Sequence, residues 1–285
     1  MEYLERRRER VEDRLEAVLA GVEPAALREQ VEHVSLSGGK RVRPTVAVLA
    51  YEAAEGEVAP DAADDAVDFA VGVELVHNAS LVIDDIIDES AVRRGVPAAH
   101  AEYGHGSAII ASDGLLGEAF ELFSRDERAM QTVADAMVEL GEGEATELVA
   151  QPTTETEYMD LARRKTGALF RAAAELGAIA ADADPEAIDA FGDYAERVGV
   201  AFQIRDDVLD ATADAEELGK PTGQDAEMER PSLVQVTDIT PEAADERARA
   251  ESEAALDALA ATGAPESQAL AYLRDLAEFV VVRER

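Results

Sequence analysis

An all-α fold, a single-domain bundle of about ten helices, is what the sequence predicts, and three observations predict it. Apolar residues recur at three- and four-residue spacing from one end of the chain to the other. Prolines at 24, 60, 185 and 241 stand where helices would begin, and Gly38-Gly39, Gly56, Gly104 and Gly106 stand between helices. No alternating strand pattern, Asn-Gly hairpin signal or repeat of fixed period occurs.

The segments follow in order. Residues 2–20 carry Arg6-Arg7-Arg8 among Glu2, Glu5, Glu9 and Glu12, which reads as a solvated face with i,i+4 ion pairs. Residues 24–36 open at Pro24, and 43–55 lie between the glycine turn at 38–39 and Gly56. The segment 61–88 begins after the polar loop GEVAPDAAD and runs through GVELVHNASLVI into Asp84-Asp85-Ile-Ile-Asp88. Segments 106–124, 126–149 and 156–181 come next. Residues 185–213 carry AERVGVAFQI into Asp206-Asp207-Val-Leu-Asp210, and 241–262 and 266–282 complete the set. The least regular stretches are 89–105 and 214–232.

With 285 residues, 47% of them hydrophobic, the chain can bury a sizeable core. A net charge of -36 excludes nucleic acid and anionic membrane as partners, and fits a carboxylate-covered surface in a salt-rich, halophilic cytoplasm where screening removes much of the self-repulsion. Only three lysines remain (Lys40, Lys165 and Lys220), and each lies beside or within two residues of a glycine. The absence of cysteine rules out disulfides, thiolate metal sites and a cysteine nucleophile. No apolar run reaches the roughly 18 residues of a membrane span, and the charged N-terminus does not read as a secretory signal, so the expected location is cytoplasmic.

With 62 acids, the spacing D/E-D/E-x-x-D/E arises by chance roughly three times, so setting has to separate signal from accident. Asp64-Asp65-Ala-Val-Asp68 opens a helix, where acids meet the positive end of the dipole; that is a structural role. The clusters at 84–88 and 206–210 instead end apolar helical segments. There Asp84 with Asp88, and Asp206 with Asp210, form like-charge pairs that cost a few tenths of a kcal/mol each. A hard divalent cation would offset that cost, the alternative being two acid-rich helix ends exposed to solvent, and an oxygen-only donor set without histidine or cysteine suits Mg²⁺. Cations accompany the acids: Gly38-Gly39-Lys40-Arg41-Val-Arg43-Pro44, Arg93-Arg94, Lys165-Thr166-Gly167 and Gly219-Lys220-Pro221. Cations and exposed backbone N–H groups are what diphosphates need, so two phosphorylated ligands are expected, one bound through metal and one directly.

These motifs resemble those of the trans-type isoprenyl diphosphate synthases, the polyprenyl synthetase family. The resemblance runs through GGKRVRP at 38–44, ELVHNASLVIDDIID at 74–88, RRGVPAAH at 93–100, RRKTGALF at 163–170, GVAFQIRDDVLD at 199–210 and LGKPTGQD at 218–225. It implies an all-α homodimer, each bundle wrapped around a central cleft, and about three Mg²⁺ per site. Asp84 and Asp88, supported by Asp85, would hold two of the ions, and Asp206, supported by Asp210, the third. Arg93, Lys165, Thr166, Gln203 and Lys220 would contact the allylic diphosphate; Lys40, Arg43, His77 and Arg94 would grip isopentenyl diphosphate. The implied reaction ionises the allylic diphosphate, couples the cation to the isopentenyl double bond and loses a proton, with water excluded.

In such enzymes bulky side chains about one turn before the first aspartate cluster stop the growing tail. Ala79 and Ser80 are small here, which favours a geranylgeranyl or longer product. Two departures stand out. Ser112-Asp113 replaces a common Gly-Asp, and Glu229-Arg230-Pro231-Ser232 replaces a common Gly-Lys-x-Thr, with Arg230 expected to take over the lysine contact. Three alternatives compete with the synthase. A non-catalytic partner subunit typically loses aspartates, and both clusters are complete. A class I terpene cyclase or a head-to-head condensing enzyme would not require GGKRVRP. A structural bundle that buffers divalent ions would not turn over two diphosphates. His100 and His105 read as structural.

Overall fold

Periodicity and punctuation translate into helices with few surprises. The computed structural model describes residues 2–56, 64–216 and 239–282. Helices α1 (Glu2–Ala20), α2 (Ala25–Leu36), α3 (Val42–Glu55) and α4 (Asp64–Ile87) come first. A two-residue antiparallel hairpin, β1 (Val92–Arg93) with β2 (Val96–Pro97), leads into α5 (Ala99–Tyr103), α6 (His105–Phe123) and α7 (Glu127–Val149). Helix α8 (Glu155–Ala162) passes through a π-turn at Arg163–Gly167 into α9 (Ala168–Ala180). The long α10 (Pro185–Glu216), α11 (Pro241–Ala261) and α12 (Gln268–Val282) follow.

Local chemistry sets the ends. The Asp126 carboxylate accepts from the N–H groups of Arg128 and Ala129 and starts α7, and the hydroxyls of Thr154 and Thr240 cap α8 and α11. Gly56, at φ 76°, closes α3 in the left-handed conformation that glycine adopts without steric cost.

Helix α4 is the spine, packed by α3, α6 and α9, while α10 lies between α9 and α11. Most of α4 is buried on every side, which is why it carries apolar residues almost all round rather than on one stripe. By length and composition it is the one helix among the described residues that could cross a membrane, but 78% of the apolar window is buried inside the fold. Small residues let the helices approach. A Cβ on Gly177 of α9 would collide with the Ala47 carbonyl oxygen of α3, and one on Gly72 of α4 would collide with the Phe123 ring of α6.

Several sequence expectations change in detail. The stretch 89–105 contains the small hairpin and α5, which no alternating pattern announces because two-residue strands are too short to show one. The expected helix 156–181 is interrupted by the π-turn. The second aspartate cluster does not end its helix: α10 continues to Glu216, so Asp206 lies well inside it and does not meet the negative end of the dipole. The arginine run is not all solvated. Arg6 and Arg8 make the i,i+4 pairs with Glu2 and Glu12, but Arg7 is buried, with its guanidinium on Glu52 and over the Tyr3 ring.

The structural reading of Asp64-Asp65-Asp68 holds, with a sharper cause. Asp68 is 3% exposed and takes one arginine on each carboxylate oxygen, Arg14 Nε at 2.6 Å and Arg125 Nη1 at 2.6 Å. These charge-assisted bonds fasten the foot of α4 to α1 and to the α6–α7 turn. Asp68→Ala is therefore expected to lower unfolding free energy by about 2 kcal/mol, the worth of a bond between charged partners that are themselves partly solvated. Denaturant unfolding in molar KCl measures it.

Candidate active site

The C-terminal half of α4 presents His77, Ser80, Asp84 and Asp88 as a half-buried stripe at three- and four-residue spacing. Asp85 lies off that stripe and is 3% exposed. It accepts from Arg93 Nε at 2.9 Å and from Nη2 of the same guanidinium, so the middle aspartate ties the hairpin to α4 rather than facing the stripe.

The Gly38–Arg41 loop builds the next wall. Gly38 at φ 105° and Gly39 at φ 130° make a turn that side chains would strain, and Arg41 follows at φ 50°. Arg41 holds the turn in place: 2% exposed, it donates to Glu74 at 2.8 Å, to Glu12 at 3.0 Å and to the Ser35 carbonyl at 2.6 Å. The loop in turn seats Arg94, whose Nη1 donates to the Gly38 carbonyl at 2.6 Å. A Cβ on Gly39 would sit 3.1 Å from the Arg94 Cζ, so the guanidinium rests directly on glycine backbone. Arg94 Nη2 also reaches the buried Asn78 Oδ1 at 3.4 Å. Arg43 stacks 4.6 Å from the centre of the Phe170 ring and donates from Nη1 to His77 Nε2 at 3.3 Å.

Burial, reinforced by Arg94, brings the Arg43 guanidinium down to about 10 despite the opposing charge of Glu74. Burial also pushes His77 well below its usual range, with Arg43 and Arg94 adding to the effect. A neutral His77 is the acceptor that Arg43 requires. Arg43 and Arg94 thus converge around a histidine that stays uncharged, and positive charge gathered in this way suits an anion. Lys40 stands exposed at the rim of this loop.

The opposite wall is the π-turn, a wide helical turn of the kind that collects at functional sites. Three successive cations there meet acids of α7: Arg163 pairs with Glu139 at 2.6 Å, Arg164 pairs with Glu142, and Lys165 pairs with Glu144 at 3.2 Å and with Glu147. Burial lowers Lys165, but Glu147 and Glu144 outweigh it, with Asp84 of α4 adding its charge, and the ammonium ends above its ordinary value. Glu144 moves up to about 7, mainly through burial, with the Asp84 and Glu147 charges opposing the pull of Lys165. The neighbouring Thr166 donates to Gln203 Oε1 of α10 at 2.9 Å. Gln203 Nε2 donates to Asp207 Oδ1 at 3.0 Å, and the Tyr158 hydroxyl donates to the other oxygen of Asp207. Asp207 is thus committed to this network, leaving half-buried Asp206 as its neighbour on α10. The π-turn therefore stands between the two aspartate clusters: Asp84 acts on Lys165, and Thr166 is bonded one turn ahead of Asp206.

Residues 24–268 match the sequence profile of the polyprenyl synthetases. The chain belongs to the polyprenyl synthetase family. The geranylfarnesyl diphosphate synthase of Natronomonas pharaonis is 32% identical over 97% of this chain and 96% of its own length. Among solved structures, a decaprenyl diphosphate synthase from Rhodobacter capsulatus superposes with a TM-score of 0.88 at 30% identity, covering 100% of this chain and 98% of that one. A polyprenyl synthase from Caulobacter crescentus, complexed with calcium and isoprenyl diphosphate, gives a TM-score of 0.84 at 28% identity, over 99% of this chain and 97% of that one. This polyprenyl synthetase is accordingly an all-α prenyltransferase.

The residues that the sequence singled out lie on the elements just described, with definite differences of role. Asp84, Asp88, Arg93, Arg94, Lys40, Arg43, His77, Lys165, Thr166, Gln203 and Asp206 all belong to the walls just described. The Asp210 side chain, Lys220 and Arg230 lie outside the described residues. Ala79 is turned into the α4–α6 contact, 1% exposed, and its carbonyl receives the Ser112 hydroxyl at 3.1 Å, so of the two chain-length positions only Ser80 stands on the half-buried stripe. His100 and His105 keep a structural place, ring against ring at 5.1 Å. Sequence reasoning missed Glu144, Glu147, Tyr158 and Asn78. In a chain so rich in acids the α7 carboxylates carry no composition signal; the signal available was the run Arg163-Arg164-Lys165, which needs counter-charge if its helix is packed. As a donor set, Asp84 and Asp88 fit a hard divalent cation: two half-buried carboxylates four residues apart, one on the last turn of α4 and one just past its end.

His77 gives this polyprenyl synthetase a pH signature. Its folded form stays neutral while the unfolded chain takes up a proton near the ordinary imidazole value, so protonation favours unfolding as pH falls through about 6.5. His77→Gln is expected to lose less stability than the parent between about pH 8 and about pH 5.5. Chemical denaturation at both pH values measures it, and parallel losses would show that His77 titrates as an ordinary exposed histidine.

Proposed function

We propose that the chain, acting as one catalytic domain, condenses isopentenyl diphosphate with an allylic diphosphate to give an all-trans polyprenyl diphosphate. What supports this is a pair of unlike charge clusters linked through α4, the arginines around His77 and the aspartates beside Lys165. One wall has arginines around a neutral histidine and suits direct capture of a diphosphate. The other has aspartates beside a lysine and suits a diphosphate that arrives with metal.

Asp84 and Asp88 on α4, with Asp206 and Asp210 on α10, would hold Mg²⁺, three ions in the reading favoured here. Bound there, Mg²⁺ would act as a Lewis acid on the leaving diphosphate. Lys165 and Arg93 would add positive charge where the allylic C–O bond breaks, and Thr166 and Gln203 would fix the height of that end of the substrate. Lys220 and Arg230 are proposed to complete the same wall. Lys40, Arg43, His77 and Arg94 would hold isopentenyl diphosphate so that its double bond faces the ionising carbon, a gain of proximity rather than of chemistry. Asp85 would act through Arg93, and Asn78 through Arg94.

The apolar tail would run back along α4 below Asp84. Small Ser80 leaves the first turn open, and the Phe123 ring packs over Gly72 further down α4. This supports a product of geranylgeranyl length or longer. A homodimer is part of the proposal. Ile109 and Ile110 of α6 and Val138 of α7 are 45%, 56% and 61% exposed, on a chain whose net charge of -36 otherwise favours a polar surface, and a second copy of the chain is the partner suited to cover them.

Product analysis with each allylic primer tests the reading. Asp84→Ala should lower kcat/KM by roughly 100- to 1,000-fold, the usual loss when a main source of transition-state charge stabilisation goes; full activity would sink the metal assignment. Ser80→Phe should shorten the product at nearly unchanged turnover with the short primer, and an unaltered product distribution would show that the tail takes another route.

A further inference from the structure

Lys165 presents the proposed cleft with a difficulty. An ammonium on a flexible stem pairs with whichever carboxylate it can reach, and the aspartates meant for metal lie close enough for Asp84 to raise its proton affinity. A lysine lodged on those aspartates would compete with any divalent cation. Among the described residues, however, the ion pairs of Lys165 are with Glu144 and Glu147 of α7. The geometry holding it there is specific. Gly143 brings α7 so close to the π-turn that a Cβ on it would stand 3.1 Å from the Lys165 backbone nitrogen. The pairs Arg163–Glu139 and Arg164–Glu142 set the register of the two segments on either side of that contact. Glu144 and Glu147 are themselves half-buried, and the Lys165 side chain is 21% exposed, so the contact is shielded far better than a surface ion pair.

We propose that Glu144 and Glu147 are positioning residues that hold the Lys165 ammonium off Asp84 and Asp88, so that the lysine does not compete with the divalent cation and engages the diphosphate that the cation brings. This rests on the metal–diphosphate reading of the cleft. It also accounts for a charge balance that substrate binding alone does not explain. Two extra carboxylates in a site for an anion are a handicap unless their work is done on the lysine.

Titration calorimetry of Mn²⁺ into the full chain in molar KCl, with and without inorganic diphosphate, reads metal affinity independently of turnover. Glu147→Ala is expected to weaken Mn²⁺ binding roughly three- to tenfold. It should also raise KM for the allylic diphosphate while KM for isopentenyl diphosphate stays put. Glu147→Gln, which keeps an acceptor oxygen, should recover part of the loss. The deciding comparison is Lys165→Ala, which should tighten Mn²⁺ binding more in the Glu147→Ala background than in the parent, because only there does the ammonium reach the aspartates. Equal effects in the two backgrounds, or an unchanged affinity in Glu147→Ala, overturn the holding role while leaving the enzyme reading intact. Asp84→Ala separates the two: if it too leaves Mn²⁺ binding unchanged, the metal site itself is wrong.

Discussion

Asp84 and Asp88 repel one another, and they do so at the end of a helix whose dipole already disfavours negative charge. Much of the surrounding structure follows from holding that pair in place on a rigid helix. The spine helix is fixed at both ends by its own aspartates. Asp68 is gripped by Arg14 and Arg125 at the foot, and Asp85 by Arg93 near the top. A helix fastened in this way, and buried along most of its length, cannot relieve the repulsion by unwinding or turning, because either movement would expose apolar surface or strip a buried carboxylate of its partner. The repulsion is small in energy, a few tenths of a kcal/mol, but the fixed helix keeps it where it is.

The scarcity of positive charge then explains how the arginines are divided. A chain with 26 basic and 62 acidic side chains cannot leave many cations uncommitted. Arg41 and Arg7 are spent inside, on Glu74, Glu12 and Glu52, where a planar fork with several donors can satisfy two partners at once. Arg43 and Arg94 are treated differently. Each is partly or wholly buried with a carbonyl, an amide, a histidine or an aromatic ring for company instead of a carboxylate, and both are held below their ordinary proton affinity. Charge kept away from counter-charge is costly in a folded protein, and the cost falls when an anion binds. The same logic makes glycine unavoidable at 39, where the guanidinium of Arg94 needs backbone, not side chain, beneath it, while Gly38 is required by its φ of 105°.

How much of this was legible in the sequence depended on range. Helices came through because three- and four-residue periodicity is local, and the Asp68 decoy was separated from Asp84 and Asp206 by its position at a helix start, also local information. The division of roles inside each motif was not legible. Asp84 and Asp85 are adjacent letters, yet one joins the cleft stripe and the other turns to Arg93, and Asp206 and Asp207 split likewise because Tyr158 and Gln203 claim the second. Spacing along a helix fixes which residues share a face, but not which face the tertiary fold presents to the cleft. Arg7 was misread for the same reason, since its partner Glu52 lies on another helix. The π-turn left no local trace either. One extra residue per turn looks like helix in a hydrophobic pattern, and only the run of three cations facing α7 reveals that the turn is held open.

The π-turn also shows why the two halves of the cleft work as one object. Lys165 and Thr166 are consecutive, and successive side chains on a helical turn point to different neighbours, the first toward α7 and the field of Asp84, the second to α10 through Gln203. The wider π-turn shifts the register of the helix that follows it relative to the one before, and the Thr166–Gln203 bond is made in that shifted register. Because Gln203 continues to Asp207, which is fixed again by Tyr158, a movement of Lys165 cannot be purely local: it pulls on the hydrogen bonds that orient the second aspartate cluster. Coupling of this kind requires no long-range signal. It requires only that one segment touch the surroundings of both aspartate clusters, and the sequence Arg163-Arg164-Lys165-Thr166-Gly167 is that segment.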